Sequence, residues 1–355
     1  MTACRSNDMR VVFRADASVR LGAGHVRRCL VLAAQLAARG GSVTFVCSEA
    51  PGNMLAQIEA RGFTAASLPD GLDWLRDAQL TQAAISGTAA VPGWLVVDHY
   101  GLDARWETAV RTRGQHLMAI DDLADRPHDC DLLLDQNLAN PRHARYAQLL
   151  PATTRRLLGP RYALVAPEFA RCRTAALVRR GGQLQRVLIS MGGSDPRNDT
   201  GTAVDGVHRS RASGAAVDVV IGAANPHRER LAAQCAGLAG CTVHVQTERM
   251  AELMSRADLA VTAGGSTTWE RCVLGLPALA VAQSEDQLPI AQAVAQAGAH
   301  RLLGRSEEVR PTDYAAALDQ MSAQMLTEMS AAAATLCDGQ GAERVAGLLG
   351  SWERA

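Results

Sequence analysis

A glycine-rich loop that contains a histidine is the first candidate for chemistry in this 355-residue chain. Gly22-Ala23-Gly24-His25 lies between a short apolar run and a segment with helical periodicity, and its glycines let backbone N–H groups approach a ligand closely. A dinucleotide-binding fingerprint would require a third glycine at position 27, where this chain has Arg27. The start of a helix disfavours an imidazolium, so we expect His25 to be neutral and able to act as a general base. The alternative is a histidine that only packs or caps at the helix start.

A second glycine-rich loop, Gly264-Gly265-Ser266-Thr267-Thr268-Trp269-Glu270, follows the apolar run at residues 259–262. Small residues and then hydroxyls at the start of a helix favour binding of an anion such as a phosphate. Glu270 lies one turn inside that helix, where its carboxylate can bind the two hydroxyls of a ribose. The alternative is a capping box, in which Thr267 and Glu270 only close the end of the helix.

Two more loops follow apolar runs. Met191-Gly192-Gly193-Ser194-Asp195-Pro196 is suited to close approach of the backbone to a phosphate, with a simple Pro–Gly turn as the alternative. Asp98-His99-Tyr100-Gly101 follows the run at residues 94–98 and offers side chains that could polarise or orient a substrate. Here the alternative is a turn in which Asp98 caps the next helix.

Other polar clusters give weaker signals. Asp286-Gln287 combines a carboxylate and an amide, which suits sugar hydroxyls, although a solvated loop is the alternative. Asp129-Cys130-Asp131 enters a strand rather than leaving one, and no third oxygen ligand is apparent near Asp121-Asp122. We therefore expect no metal ion and interpret these aspartates as turn caps.

The composition excludes several classes of function. All 36 basic residues are arginine, which removes a Schiff-base lysine and a P-loop lysine. The 36 acidic residues balance them, so attraction to nucleic acid or to a membrane surface is not expected. Nine cysteines without a CxxC pair favour a reduced, cytoplasmic compartment. No apolar run approaches the roughly 20 residues of a membrane span, and the first residues lack the apolar core of a signal peptide.

Short continuous apolar runs alternate with helical segments, which predicts parallel sheets with right-handed crossovers. The predicted strands are residues 11–13, 43–47, 94–98, 116–121, 131–135, 186–191, 217–221, 242–245, 259–262 and 278–282. The predicted helices are residues 25–39, 53–61, 104–113, 228–235, 250–256 and 267–274.

The pattern predicts two doubly wound, Rossmann-like α/β domains that face a cleft. The first spans residues 1–165 and carries the GxGH loop, and the second spans residues 180–335. A basic and then glycine-rich stretch at residues 165–185 marks the boundary. A C-terminal helix at residues 341–355 is expected to pack back on the first domain.

Taken together, the motifs resemble the UDP-2,4-diacetamido-2,4,6-trideoxy-beta-L-altropyranose hydrolases of pseudaminic acid biosynthesis, in the same order and over nearly the whole chain. The matching stretches are residues 13–18, 22–30, 97–101, 120–126, 191–195 and 264–270. That family is similar to the GT-B glycosyltransferases, particularly the muramyl-pathway N-acetylglucosamine transferase. The transferase shares the glycine-rich loop with its histidine, the GGS loop, and the T-x-x-E before GLPA, here Thr267, Glu270 and residues 275–278.

The resemblance implies a GT-B fold and a UDP-sugar substrate, with neither metal nor cofactor. It implies that His25 activates water, that Tyr100 places the sugar or the water, and that the uracil lies near residues 245–250. The implied catalytic residues are His25 and Tyr100. The implied substrate-binding residues are Asp16, Gly22, Gly24, Gly192, Gly193, Met250, Gly265, Ser266, Thr267, Trp269, Glu270, Asp286 and Gln287. Glu285-Asp286-Gln287 departs from the asparagine–glutamine pair expected there.

The predicted reaction is therefore metal-independent hydrolysis of a UDP-sugar by a monomeric enzyme, with inversion at the anomeric carbon. Three alternatives stay open: a GT-B transferase that passes the sugar to another acceptor, a UDP-sugar 2-epimerase with hydrolytic character, and a nucleotide-sugar binding protein without turnover.

Overall fold

The computed structural model describes residues 9–86, 93–138 and 144–352. They form two compact units. The first unit contains the described residues up to 137, then 144–165 and 340–352, and the second contains 138 and 166–339. The chain thus returns to the first unit after it has completed the second. No helix in these described ranges is both long and apolar enough to cross a bilayer.

In the part of the chain that the structure describes, the first unit is built on a seven-stranded parallel sheet with helices on both faces. The strands are β1 (Arg10–Ala15), β2 (Ser42–Ser48), β3 (Thr64–Leu68), β4 (Trp94–Asp98), β5 (His116–Ile120), β6 (Leu132–Asp135) and β7 (Arg155–Leu158). The helices are α1 (Gly24–Ala38), α2 (Leu55–Ala60), α3 (Trp74–Ser86), α4 (Ala104–Val110) and α13 (Gly341–Gly350). The strand order is β3-β2-β1-β4-β5-β6-β7.

Strand β1 shows why the central strands read as continuous apolar runs. Val11 and Phe13 pack into the core that includes residues of α1 and α13, whereas Val12 packs into the core on the other face, with Trp106 of α4. Successive side chains of a strand point to opposite faces, so a sheet covered on both faces needs apolar residues at every position.

The second unit has a six-stranded parallel sheet within the described residues. Its strands are β8 (Arg186–Ser190), β9 (Ala216–Ile221), β10 (Cys241–Val245), β11 (Leu259–Ala263), β12 (Ala278–Ala282) and β13 (Arg301–Arg305). Its helices are α5 (Pro167–Arg179), α6 (Asp199–Arg209), α7 (Arg228–Ala236), α8 (Met250–Arg256), α9 (Thr267–Val273), α10 (Gln287–Gln296), α11 (Pro311–Asp319) and α12 (Ala323–Leu336). The strand order is β10-β9-β8-β11-β12-β13.

Each sheet has a topological switch point, where the chain reverses the direction in which it adds strands. In the first unit this point lies between β1 and β4, and in the second it lies between β8 and β11. Loops that leave adjacent strands on the two sides of a switch point diverge, which leaves a crevice beyond the carboxyl ends of the strands.

The predicted α/β class with parallel sheets is confirmed. The prediction from apolar runs did not include β3, β7 and β13. These strands lie at sheet edges and are partly exposed, and because of this they lack a continuous apolar run. The basic stretch at residues 165–185 begins with α5. Arg173 of α5 donates to the carbonyl oxygens of Val273 and Cys337, at the carboxyl ends of α9 and α12. The positive charge of Arg173 thus binds carbonyl groups at helix ends.

Candidate active site

The four loops predicted from glycine, histidine and aspartate patterns follow the strands that border the two switch points. Residues 16–25 follow β1 and residues 98–101 end and follow β4. Residues 191–196 follow β8 and residues 264–270 follow β11. Open parallel sheets bind ligands at this place, so the fold brings each pair of loops to a position suited to a ligand site.

His25 lies in the first turn of α1 and is almost completely buried, with 7% exposure. Its Nδ1 atom is buried and has no hydrogen-bond partner among the described residues. The ring of Tyr100, which follows β4, stands perpendicular to the imidazole with 4.5 Å between the ring centroids. The loops after β1 and β4 therefore place a buried imidazole against a phenol that is 37% exposed.

The pKa of His25 is lowered, chiefly because burial disfavours the charged imidazolium. The Arg28 guanidinium lowers it further, while the carboxylates of Asp98 and Asp122 act in the opposite direction. The neutral form expected from the sequence is therefore favoured. Burial is the main cause of the lowered pKa, whereas the sequence analysis attributed the neutral form to the start of the helix.

Arg28 lies three residues after His25, on the same face of α1, and joins two carboxylates. Its Nε and Nη2 atoms donate to both oxygens of Asp98 at 2.6 Å, and Nη1 donates to Asp122 at 2.6 Å. Burial alone would raise the pKa of Asp98, but the Arg28 guanidinium lowers it overall. The alternative that Asp98 caps the next helix is wrong, because Asp103 caps α4 by accepting from the backbone N–H of Arg105. Sequence reasoning missed Arg28; its i, i+3 spacing from His25 was the available signal.

Asp16, which the resemblance implied to be a substrate-binding residue, is buried, with 6% exposure. Arg14 donates to both of its oxygens, at 2.6 and 3.0 Å, and the backbone N–H of Ser48 donates at 2.7 Å. The Nε2 atom of His99 lies 3.3 Å from Asp16 Oδ2. Although burial opposes ionisation, the hydrogen bond from His99 and the Arg14 guanidinium hold the pKa of Asp16 well below its usual range. The structure thus gives Asp16 protein partners in place of the expected substrate contact.

Two glycines of the first loop, Gly22 and Gly24, face open space. Gly22 has a φ of 75°, a backbone conformation that favours glycine, and it pairs with Ser18 in an isolated bridge. A Cβ atom at Gly22 or Gly24 would meet no atom within 4 Å. This space is consistent with the close approach of a ligand that the sequence predicts.

In the second unit, the loop after β8 rests on the loop after β9. The backbone N–H of Gly222 donates to the carbonyl of Gly193 at 3.1 Å. A Cβ atom at Gly222 would lie 2.4 Å from that carbonyl oxygen, so only glycine fits there. Gly192 and Gly193 are themselves exposed. The sequence did not single out Gly222, whose only signal was its place directly after a strand.

The loop after β11 presents Gly265, Ser266 and Thr267 at the partly exposed start of α9. Thr267 is the first residue of that helix, and Ser266 occupies the capping position without a side-chain cap. The alternative of a capping box closed by Thr267 and Glu270 is therefore wrong. Glu270 is half-buried one turn further along.

One predicted ligand residue of this loop needs correction. Trp269 is 1% exposed and is one of the largest fully buried side chains, so its indole belongs to the interior and cannot line a ligand site. The resemblance placed Trp269 among the substrate-binding residues because it belongs to the loop motif, and the direction of its side chain becomes visible only in the fold.

The remaining predicted residues lie at starts of helices. Met250 is the first residue of α8 and is half-buried. Asp286 is exposed, and Gln287 begins α10. The Gln287 side-chain oxygen accepts from the backbone N–H of Gln283 at 3.1 Å. Its nitrogen would lie 3.8 Å from a Cβ atom placed on Gly265, so the loops after β11 and β12 are neighbours.

Comparison with solved structures decides the fold family. The chain superimposes on MurG of Acinetobacter baumannii with a TM-score of 0.70 at 16% identity, covering 97% of this chain and all of that one. The chain has the GT-B fold. Within this GT-B chain, residues 188–345 match the glycosyltransferase family 28 C-terminal domain. Each unit of a GT-B protein is a doubly wound sheet, as found here.

The resemblance indicated by the motifs is confirmed among curated proteins. The chain is 24% identical over 293 residues to the UDP-2,4-diacetamido-2,4,6-trideoxy-beta-L-altropyranose hydrolase of Campylobacter jejuni, covering 82% of this chain and 97% of the hydrolase. It is 29% identical over 201 residues to the spore coat polysaccharide biosynthesis protein SpsG of Bacillus subtilis, covering 55% of this chain. The chain spans 58% of the length of SpsG and 57% of an uncharacterized protein of Methanocaldococcus jannaschii.

Proposed function

We propose that this protein hydrolyses a UDP-linked 2,4-diacetamido-2,4,6-trideoxy sugar of the altrose type to UDP and the free sugar, within pseudaminic acid biosynthesis. The observation that carries the proposal is the buried imidazole of His25, held neutral and set against the ring of Tyr100 at a switch point. The similarity to the Campylobacter hydrolase, along 97% of its length, supports this choice of substrate.

His25 acts as the general base in the proposed reaction. The water oxygen forms a bond to the anomeric carbon as His25 accepts a proton from that water, and the bond from the anomeric carbon to the UDP oxygen breaks. Its electron pair leaves with UDP, and attack opposite the diphosphate inverts the anomeric configuration. Because Nδ1 of His25 is buried, the proton is accepted at Nε2. Tyr100 borders the imidazole and places the sugar or the water.

The second unit is proposed to bind UDP. The backbone N–H groups of Gly192 and Gly193, and those of residues 265–267 at the start of α9, would stabilise the charge that develops on the diphosphate. Glu270 would bind the ribose hydroxyls, and the uracil would lie near Met250. With that charge stabilised, UDP leaves without a strong general acid, and neither metal nor cofactor is needed.

Substitution of the base tests the proposal. His25→Gln keeps a polar side chain of similar size and removes the basic nitrogen, so it should lower kcat by roughly 10²–10⁴-fold and leave the Kd for UDP within about twofold. Proton NMR of the UDP-sugar, recorded with a chelator present, measures UDP and free sugar together. His208→Gln, on the exposed surface of α6, is the matched control. Full activity of His25→Gln would remove His25 from the mechanism.

A glycosyltransferase is the second candidate, because residues 188–345 match a glycosyltransferase family domain and the fold is shared with MurG. Both reactions use the same donor site and differ in what attacks the anomeric carbon. In a mixture without an acceptor, a hydrolase releases UDP and free sugar in equal amounts at a rate near its maximal rate. A transferase would release almost no UDP until an acceptor hydroxyl is added.

A further inference from the structure

His99 follows β4 within the DHYG stretch and has both ring nitrogens in use. The backbone N–H of Gly101 donates to its Nδ1 atom at 3.0 Å. A backbone N–H can only donate, so Nδ1 carries the lone pair and the ring proton lies on Nε2. Nε2 lies 3.3 Å from Asp16 Oδ2 and donates its proton to that carboxylate.

The turn that contains Tyr100 is fixed on two sides. On one side, Asp16 holds the His99 side chain, and Asp16 is itself held by Arg14 and by the backbone of β2 at Ser48. On the other side, Arg126 donates to the carbonyl oxygen of His99 at 3.1 Å. The same guanidinium donates to the carbonyl of Leu102 at 3.1 Å and pairs with Asp121 at 2.9 Å.

The turn also leaves little room for side chains. A Cβ atom at Gly101 would lie 3.1 Å from Cε1 of His99, which is closer than nine in ten such contacts. Tyr100 stands between these two fixed residues, and its ring meets His25 edge to face at 4.5 Å. The conformation of the turn therefore determines where the phenol lies relative to the imidazole.

We propose that Asp16 and His99 form a positioning pair that fixes the DHYG turn and thereby holds the Tyr100 ring against His25. This inference deepens the proposed function, and its catalytic part depends on that function. Asp16 and His99 touch neither water nor sugar in this account. They act through Tyr100, which explains why Asp16 is buried with protein partners on both oxygens.

The geometric part can be tested without substrate. The Tyr100 ring shifts the proton resonances of the His25 imidazole, and Tyr100→Leu defines the value without an aromatic ring, whereas Tyr100→Phe retains the ring. We expect Asp16→Asn and His99→Ala to move the His25 resonances most of the way to the Tyr100→Leu value. His99→Gln, which can still donate to Asp16, should restore part of the shift. His25 resonances that stay at the wild-type value in both Asp16→Asn and His99→Ala would overturn the proposal.

A matched control lies at the opposite end of the same sheet. His116 begins β5, and its Nδ1 atom lies 4.0 Å from Asp131. His116→Gln therefore removes a histidine beside an aspartate without touching the turn, and it should leave the His25 resonances unchanged. A shift in this variant equal to that of His99→Ala would also overturn the proposal, because it would show a general loosening of the unit.

Kinetics separate positioning from substrate binding. Loss of a well-placed group through a displacement of about 1 Å can cost on the order of 10²-fold in rate. We therefore expect Asp16→Asn and His99→Ala to lower kcat by about 10–10²-fold, with Kd for UDP unchanged and with partial recovery in His99→Gln. Unchanged kcat together with moved His25 resonances would overturn the catalytic consequence alone. If the wild-type protein hydrolyses no UDP-sugar, the proposed function fails, and the NMR comparison still decides whether the pair positions Tyr100.

Discussion

The residues at the two switch points of this GT-B protein differ in charge and in burial. At the first, three charged side chains and the neutral imidazole of His25 are buried: Asp16, His25, Arg28 and Asp98 all lie at 7% exposure or less. At the second, Gly192, Gly193 and Ser266 are exposed, and their backbone N–H groups are the donors proposed to bind the diphosphate. The loops at the first switch point pair buried charges around a neutral imidazole, whereas those at the second expose glycine backbone and a serine hydroxyl.

The difference supports the proposed division of work between the two units. Buried charges keep fixed positions and altered pKa values because each is held by a partner in a medium of low dielectric. Backbone donors on glycine loops accept any anion of the right shape and do not titrate. The first unit is therefore suited to proton transfer, and the second is suited to holding a diphosphate.

Removal of Arg28 should have the largest effect on folding. Arg28→Met leaves the carboxylate of Asp98, which is 1% exposed, without its cation. Breaking a buried pair by removing one partner costs about 3–5 kcal/mol, and we expect that loss in the free energy of unfolding measured in urea. The double variant Arg28→Met/Asp98→Asn removes both charges of the pair and should recover much of the loss. An unchanged urea midpoint in Arg28→Met would refute the account of this cluster.

An arginine at the second switch point provides the contrast. Arg197 pairs with Glu307 at 3.0 Å, lies 3.6 Å from Asp199, and donates to the carbonyl of Gln283 and the hydroxyl of Ser306. Its side chain is 40% exposed, so solvent screens these contacts, and Arg197→Met should lower the free energy of unfolding by less than Arg28→Met does. A loss as large as that of Arg28→Met would erase the distinction between the two regions.

Substitution of Gly222 should weaken UDP binding by an intermediate amount. In Gly222→Ala the new methyl group would lie 2.4 Å from the carbonyl oxygen of Gly193, so the loop after β8 must move. Overpacking of this kind costs about 1–3 kcal/mol, and if about half of that falls on the loop, the Kd for UDP rises by roughly 2- to 10-fold. Isothermal titration calorimetry measures it. Gly214→Ala, where a Cβ atom would meet nothing within 4 Å, is the control and should bind UDP normally.

The smallest predicted effect is a shift in the pH at which activity is lost on the acidic side. His25 must be neutral to accept a proton, and its pKa lies below the ordinary value of 6.5. Activity should therefore persist as the pH falls through 6.5 and be lost only below it, on the acidic limb of kcat/KM. Tyr100→Leu exposes the imidazole and should move that limb upward, toward the ordinary pKa. An acidic limb that stays in place in Tyr100→Leu would show that burial beneath Tyr100 does not control His25.

Much of the fold and the position of the site could be predicted because the signals for both lie in short stretches of sequence. Buried strands read as apolar runs, and the glycine, histidine and aspartate clusters follow them directly, at the carboxyl ends where parallel sheets bind ligands. The partners of Arg28 could not be read in this way, since Asp98 and Asp122 are 70 and 94 residues away. The direction of the Trp269 side chain and the burial of Asp16 likewise depend on packing that no spacing encodes.

Hydrolysis in water enriched in oxygen-18 tests the central claim most directly, since attack at the anomeric carbon and attack at phosphorus leave the label in different products. The account predicts that UDP formed by the wild-type protein contains no oxygen-18 by mass spectrometry, because the oxygen between sugar and phosphate leaves with UDP. It predicts the same unlabelled UDP, formed roughly 10²–10⁴ times more slowly, with His25→Gln. One atom of oxygen-18 in each UDP would show attack at phosphorus and contradict the mechanism.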